Sequence, residues 1–532
     1  MTESGEPTRW QRLASAAEVG RRTGLLDPRT LGASVAAAGT WGASVAAPYA
    51  SAALRHPHRT ALVDAHGAIT YRELDLRTTR LASGLQSMGV GRTSTVGVLC
   101  RNHRGFVEAN IAAAKLGLHV VYLNTGLPEA QLEQVIEREQ ISFVLADEEF
   151  DARLAAIGSS GIDRFLARLG LDPSWTFTDV PKPTVPLLLP RPWRSPEPVV
   201  LTSGTSGAPK GTQRTNGVKS AATAAGVITV IPYERGDTFV IPAPLFHAWG
   251  LSQMVTCATL GGTAVLPGGF DPATVMALVD VHQATVLAAV PVMLHRILEA
   301  QTGASGASLR ITATSGSALP GNLAERWMDA FGDHLYSLYG STEVGQVAVA
   351  TPSDLRAAPG TAGRPLPGID VRILDDTDRE LPSGAVGRIF VASSMHFDGY
   401  TGGGGKARVG EHMEIGDQGS FDDDGRLRVV GRADDMIITG GENVYPSNIE
   451  RSLLEHPKVS DAAVVGVADD DFGQRIRAVI VTTDQRNSDR RTASIKKHLQ
   501  TQLASYEVPR EFVYVDTIPR NPAGKVLRHE LR

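Results

Sequence analysis

Residues 61–124 contain ALVDAHGAITY (61–71), ELDLRTTRLASGLQSMG (73–89), TVGVLC (95–100), FVEANIAAAKLG (106–117) and HVVYLN (119–124) in succession. Runs rich in β-branched residues alternate with stretches of helical period, a rhythm that predicts layered α/β architecture on a parallel sheet. The next unit repeats it. PEAQLEQVIEREQ (128–140) puts Leu132, Val135 and Ile136 on one helical face, and ISFVLAD (141–147) follows as a strand.

Between Pro181 and Pro198 stand seven prolines, too many for a helix or a central strand, so the segment reads as an extended connector. α/β signals resume beyond it to about residue 350, and Gly/Asp-rich turns with short strands fill 360–430. The last hundred residues offer a helix start at PSNIERSLLEH, the strands DAAVVGV and RAVIVTT, a helix ASIKKHLQTQL and a strand EFVYV, enough for a small α+β unit with its own core. The expected organisation is a helical arm (1–50), a large layered α/β domain (51–431), a junction (432–435) and a small α+β unit (436–532).

Composition narrows the function. At 532 residues the chain exceeds a single small module, and 42% hydrophobic with 20% charged residues excludes wholesale disorder. Lys and Arg number 52 against 57 Asp and Glu, a formal charge of −5, so no global positive field recommends nucleic acid. Cys100 and Cys257 are the only cysteines, which excludes a disulfide framework or a Cys-rich metal centre and suits a reducing cytoplasm. The opening MTESGEPTRW does not read as a secretory signal. Residues 30–54 carry no charge, but Ala, Gly, Ser and Thr dominate and Pro48 interrupts them, so the segment reads as a helical arm on the body rather than a transmembrane span. Within it GASVAA occurs at 32–37 and again at 42–47, predicting similar small faces.

The stretch LTSGTSGAPKGT (201–212) has glycines that let a backbone approach a ligand, hydroxyls between Thr202 and Ser206, and a cation at Lys210. Such a loop offers N–H and O–H donors to phosphate oxygens. It is not a Walker A loop, because Pro209 stands where glycine must precede the lysine.

This string resembles the phosphate loop of the adenylate-forming superfamily of acyl-CoA synthetases, peptide-synthetase adenylation domains and luciferases. Further motifs follow in that family's order: Pro244-Leu-Phe-His247, Ser315-Gly-Ser-Ala-Leu319, Tyr339-Gly-Ser-Thr-Glu343, Gly416-Asp417, Gly431-Arg-Ala-Asp-Asp435, Gly440-Gly-Glu-Asn443 and Pro522-Ala-Gly-Lys525. They span about residues 50–532, and their wording is most similar to bacterial fatty-acyl-CoA and aryl-CoA ligases.

The resemblance implies ATP, Mg²⁺ and CoA, with an acid adenylated first and a thiol acylated second. It implies phosphate binding by Thr202, Ser203, Gly204, Thr205, Ser206, Gly207 and Lys210. Lys525 corresponds to the catalytic lysine that bridges carboxylate and α-phosphate. Thr342 is placed for an α-phosphate contact and Glu343 for the metal. Ser317, Ala318 and Tyr339, with Gly340 and Ser341, would receive the nucleotide base. Asp417 would accept the ribose hydroxyls, with Arg432 beside it. His247 matches a position near the acyl group, either acting in catalysis or lining a pocket with Trp249, Gly316 and Gly340. Asp434 corresponds to a hinge about which the small α+β unit, 436–532, moves as a mobile lid, Asp435 being its easily confused neighbour, and Gly440, Gly441 and Glu442 to the face that meets a pantetheine arm. Two positions depart from the family pattern: Ser337 replaces an amide that can pair with adenine, and Ile415 a hydroxyl residue, so weaker ATP binding is expected.

Two other readings stay open at this level. One is a specialised adenylating enzyme that hands its product to a carrier protein or an amine, including nitrite activation for diazotisation of an arylamine. The other is a non-catalytic nucleotide-binding scaffold, against which the retained charges at Lys210, Glu343, Asp417, Arg432 and Lys525 speak. The sequence implies no particular oligomeric state.

Overall fold

The computed structural model describes residues 17–157, 165–168, 180–181, 189, 198–202, 210–213, 226–401, 403–439, 442–469, 473–482, 488–522 and 524–532. Most of the proline-rich connector lies outside them, as do Ser203, Gly204, Thr205, Ser206 and Gly207 of the phosphate loop and the pair Gly440 and Gly441.

The first quoted run divides where one strand was expected. Thr60–Asp64 and Gly67–Thr70 form an antiparallel hairpin. Gly67 takes φ +93°, and Asp64 Oδ1 accepts the His66 N–H at 2.9 Å, so a two-residue turn reverses the chain. The hairpin edges a nine-stranded sheet whose middle strands, Thr263–Val265, Thr238–Val240, Val286–Ala289 and Ile311–Thr314, run parallel. Leu335–Ser341 continues in parallel and then turns back through Gly345–Ala350.

Thr95–Leu99 belongs to a second, seven-stranded sheet, between parallel neighbours His119–Tyr122 and Phe143–Ala146. The helix Arg104–Leu116 is a layer between the two sheets and is buried along its whole length. Each of its charges therefore needs a partner, since an unpaired buried charge costs several kcal/mol, roughly 3–5. Arg104 pairs with Asp64 (2.5 Å), Glu108 with Arg77 (2.6 Å) and Lys115 with Asp75 (2.7 Å). His103 Nδ1 caps the start by accepting the Gly105 N–H, and Gly117 at φ +69° ends the helix.

The arm packs on the body. Helix Ala46–Arg55 buries Ala46, Tyr49, Ser51 and Ala52, while Trp41, ending helix Pro28–Trp41, lies over the Lys115 ammonium at 5.6 Å. The GASVAA repeat is not a structural repeat: its first copy is helical, whereas the second begins at the helix-ending Gly42 (φ +64°). Among the described residues no helix is long and apolar enough to cross a membrane.

A five-stranded sheet, Asp370–Leu374, Gly387–Ala392, His412–Phe421, Arg408–Val409 and Leu427–Arg432, follows. The last part is α+β, as the sequence predicts. Strands Val459–Asp469, Gly473–Thr482 and Glu511–Tyr514 carry helices Pro446–Leu454 and Ser488–Gln502. Ile449, Leu453, Val464, Ala478, Ile480, Ile495 and Leu499 make a core separate from the rest.

Candidate active site

The parallel strands of the nine-stranded sheet end together, and open α/β sheets receive ligands beyond the carboxyl ends of their strands. Ile311–Thr314 runs into Ser315 and Gly316, and Leu335–Ser341 into Thr342 and Glu343. A cleft of about 3090 Å³ opens there, bounded on its far side by the C-terminal unit. That is several times the volume of an ordinary small-molecule pocket, because it includes the gap between the two units.

Ser317, Ala318, Tyr339, Gly340, Ser341, Thr342 and Glu343 all line this cleft. Gly316 at φ +96° turns the first loop, and Ser315 Oγ donates to the Leu338 carbonyl at 2.7 Å, joining both strand ends. Ser341 Oγ accepts the N–H groups of Glu343 (3.2 Å) and Val344 (3.3 Å), which fixes the turn after the strand. A side chain at Gly340 would meet the Gly345 carbonyl at 2.2 Å, so this position must stay bare.

Thr202 and Lys210 close opposite ends of the phosphate-loop hairpin as a cross-strand pair. Lys210 Nζ lies 5.4 Å above the Tyr400 ring, and the Tyr400 hydroxyl donates to Glu343 Oε1 at 2.9 Å. Tyr400 reaches this place because Gly399–Tyr400 pairs with the strand that begins at Lys210. Sequence reasoning missed it. Its only signal, an isolated Gly-Tyr 57 residues beyond Glu343, has no meaning until the sheet is formed.

Asp417 lies on His412–Phe421 opposite Arg432 of Leu427–Arg432. Its Oδ2 accepts the Tyr339 hydroxyl at 2.7 Å, and Arg432 Nε is 4.0 Å from Oδ1. Burial raises the Asp417 pKa above the usual aspartate value, against the pull of the Tyr339 hydrogen bond and of Arg432, Lys525 and Lys406. Lys406, also missed, has its ammonium 3.1 Å from where a Gly416 side chain would begin, with Arg432 Nη2 at 3.3 Å from that point. Ser337 and Ile415 are both buried at the cleft wall, and Ile415 also packs into the core shared by Val344 and Ile389.

Lys525 arrives from the far end of the chain. Pro522 packs on Gly126, and Gly524, at φ +80°, sits against Val290 and Val292, where a side chain would meet Val292 Cγ1 at 2.7 Å. Asn521 closes the turn, its Oδ1 accepting the Lys525 N–H at 2.9 Å. The lysine stays accessible to solvent in the cleft, but the protein around it and the Arg432 charge lower its pKa below the usual lysine value. Glu343, Asp417 and Asp435 pull the other way. One neighbourhood thus unites Lys525 with Glu343, Asp417 and Arg432.

His247 stacks obliquely on Phe246 at 4.7 Å, and Trp249 anchors the segment by donating from Nε1 to the Ala289 carbonyl at 3.0 Å. Burial, with the Lys525 charge, pushes the His247 pKa down to about 3, so its ring is neutral. At the junction the two aspartates face opposite ways. Asp434 is 3.7 Å from Arg432, while Asp435 is 3.6 Å from Arg528, which also holds Glu450 at 2.6 Å.

Among the described residues no three His, Cys, Asp or Glu converge as a metal cage. A single carboxylate, Glu343, held by Tyr400 beside Lys210, nevertheless fits Mg²⁺, which takes one or two carboxylates and completes its shell with water and substrate phosphates.

The family model described as "AMP-binding enzyme" matches residues 49–401, and "AMP-binding enzyme C-terminal domain" matches 448–525. A feruloyl-CoA synthase of Amycolatopsis sp is 32% identical over 492 residues, covering 90% of this chain and 96% of the relative. Among solved structures, the o-succinylbenzoate CoA synthetase of Bacillus subtilis, in complex with its acyl-adenylate intermediate, superposes with TM-score 0.79 at 27% identity, covering 91% of this chain and 97% of that one. An amide bond synthetase from Marinactinospora thermotolerans gives TM-score 0.78 at 27% identity, covering 89% and 96%. The chain belongs to the AMP-binding enzyme family, the adenylate-forming ligases.

Proposed function

We propose that this ligase transfers AMP from ATP to a carboxylic acid, fatty or aromatic, and then passes the acyl group to the thiol of CoA, in the cytoplasm. The observation that carries the reading is the convergence of Lys525 from the C-terminal tail with Glu343, Asp417 and Arg432 in the cleft.

A carboxylate is a poor electrophile because oxide is a hopeless leaving group, and adenylation supplies a good one. The substrate oxygen attacks the α-phosphorus as the bond to pyrophosphate breaks. Negative charge gathers on the α-phosphate oxygens, so fixed cations and donors aimed there lower the barrier. Lys525 and Thr342 fill that role. Thr202, Ser203, Gly204, Thr205, Ser206, Gly207 and Lys210 hold the outgoing phosphates, Ser317, Ala318, Tyr339, Gly340 and Ser341 the base, and Asp417 with Arg432 the ribose. Glu343 holds Mg²⁺, which when bound neutralises phosphate charge. His247, being neutral, serves as pocket lining beside the acyl group.

For the second step Lys525 must withdraw, because the thiol needs the same carbonyl. The lid, 436–532, turns about Asp434 and brings Gly440 and Gly441 toward the pantetheine arm. A second reading keeps the adenylation and uses an amine as acceptor, favoured by the likeness to the amide bond synthetase.

ATP–pyrophosphate exchange over a panel of acids, with and without CoA, tests the proposal. Acid-dependent exchange followed by CoA thioester supports it. Exchange with amide but no thioester selects the second reading, and no exchange with any acid overturns both.

A further inference from the structure

The fold delivers Lys406 to the cleft, although adenylation as proposed makes no use of it. Just after Tyr400, which is held against Lys210 and Glu343, the chain turns sharply. The Tyr400 carbonyl accepts the Gly403 N–H at 2.9 Å, the Tyr400 N–H donates to the Gly404 carbonyl at 3.2 Å, and Gly403 and Gly404 take φ +87° and +88°. On the far side of Lys406 the Ala407 carbonyl accepts the Glu414 N–H at 2.9 Å, which fastens the returning loop to strand His412–Phe421 just before Gly416. The lysine between these two fixed points is half-buried and lines the cleft.

Its ammonium and Arg432 Nη2 flank one point, 3.1 and 3.3 Å from where a Gly416 side chain would begin. Among the described residues Lys406 has no hydrogen-bond or ion-pair partner, and Arg432 reaches carboxylate oxygens only at 3.7 Å (Asp434) and 4.0 Å (Asp417), too far for hydrogen bonds. Two cations this close repel, and their donors are unspent, the Arg432 side chain being 42% exposed. An anion with several oxygens relieves both deficits, and phosphate binds such a pair through charge-assisted hydrogen bonds. Asp417, proposed for the ribose, is the next residue, so the phosphate attached to the ribose is the one in reach.

Lys406 differs from Lys525 in the part of the chain that carries it. Strand Lys210–Gln213, the turn at Gly403 and strand His412–Phe421, which position it, all precede the junction at 432–435. When the lid withdraws Lys525, Lys406 stays. In thiol transfer the CoA thiolate, its proton having gone to water, attacks the acyl carbon. A C–S bond forms, the bond from that carbon to the phosphate oxygen breaks, and its electron pair leaves on AMP. The α-phosphate thus gains negative charge in the step from which Lys525 is absent.

We propose that Lys406 is a further catalytic residue, a cation of the body that with Arg432 binds the α-phosphate through both half-reactions and stabilises AMP as the leaving group in thiol transfer. This rests on the adenylation reading above and adds to it the group that steadies the adenylate once Lys525 has gone.

The test compares wild type with Lys406→Met, which keeps the length and removes the charge, and Lys406→Arg, which keeps the charge. Calorimetry gives Kd for AMP and for adenosine, and a thioester assay gives kcat/KM for a synthetic acyl adenylate with CoA. In Lys406→Met the Kd for AMP should rise about 10- to 100-fold, the worth of a hydrogen bond to a charged group, while the Kd for adenosine stays at the wild-type value and shows the base and ribose sites folded. Thioester formation should fall by about tenfold or more, and Lys406→Arg should recover most of both losses. An AMP Kd unchanged in Lys406→Met, or AMP and adenosine weakened in equal proportion, overturns the inference and leaves adenylation standing. So does thioester formation at the wild-type rate. Wild type that binds no AMP and releases no pyrophosphate with any acid overturns the adenylation reading and this inference with it.

Discussion

Two site residues have pKa values shifted toward each other from opposite ends of the scale. Asp417 is raised by burial and must be ionised to accept ribose hydroxyls, so ATP capture should weaken as pH falls, starting above the ordinary aspartate range. Lys525 is lowered by its surroundings and by Arg432, so its ammonium should be lost as pH rises, below the ordinary lysine range. The profile of kcat/KM for ATP reports the free enzyme, and it should be a bell narrower than unperturbed groups would give. In Lys525→Arg the basic limb should move out of the measurable range, and in Asp417→Asn the acid limb should disappear. An acid limb unchanged in Asp417→Asn would remove that residue from ribose binding. His247, with a pKa near 3, is uncharged throughout, so His247→Ala should raise the KM for the acid without moving either limb.

At the scale of elements, the terminal loop sets where the lysine stands. Gly524 is left-handed and packed on Val292, so Gly524→Val adds both backbone strain and a clash, displacing Lys525. Acid-dependent pyrophosphate release should fall about 100-fold, the cost of roughly an ångström of misplacement. A smaller loss should be seen when a synthetic acyl adenylate is offered with CoA. Much at this scale was legible in sequence. Alternation of strand and helix gave the layered α/β body, and the C-terminal unit follows the quoted strands and helices closely. The hairpin at Gly67 was not, because one glycine in an apolar run does not announce a reversal. Nor were Tyr400 and Lys406. Motifs name the residues that touch a ligand, whereas Tyr400 meets the site through sheet pairing with the strand that begins at Lys210, and Lys406 through the return of its loop to Gly416.

At the scale of the whole molecule, the C-terminal unit has its own core and is joined through a junction whose neighbouring aspartates are held from opposite sides. This arrangement suits rotation at Asp434 with Asp435 travelling alongside Arg528. Asp434→Pro fixes the junction backbone. It should leave pyrophosphate release nearly intact and slow thioester formation by at least tenfold, read by separate assays of the two half-reactions. Equal loss of both would argue against a hinge there. Contacts such as Asn322 Nδ2 donating to the Leu454 carbonyl at 2.5 Å hold the unit in the arrangement that presents Lys525 to the cleft.

The central claim is that the ammonium of Lys525, carried on the C-terminal unit, stabilises charge in adenylation and takes no part in thiol transfer. Assaying the two half-reactions of Lys525→Ala tests it most directly. Acid-dependent pyrophosphate release should fall by at least a thousandfold, while thioester formation from a synthetic acyl adenylate and CoA continues at close to the wild-type rate. Pyrophosphate release at the wild-type rate, or equal loss of both steps, would contradict it.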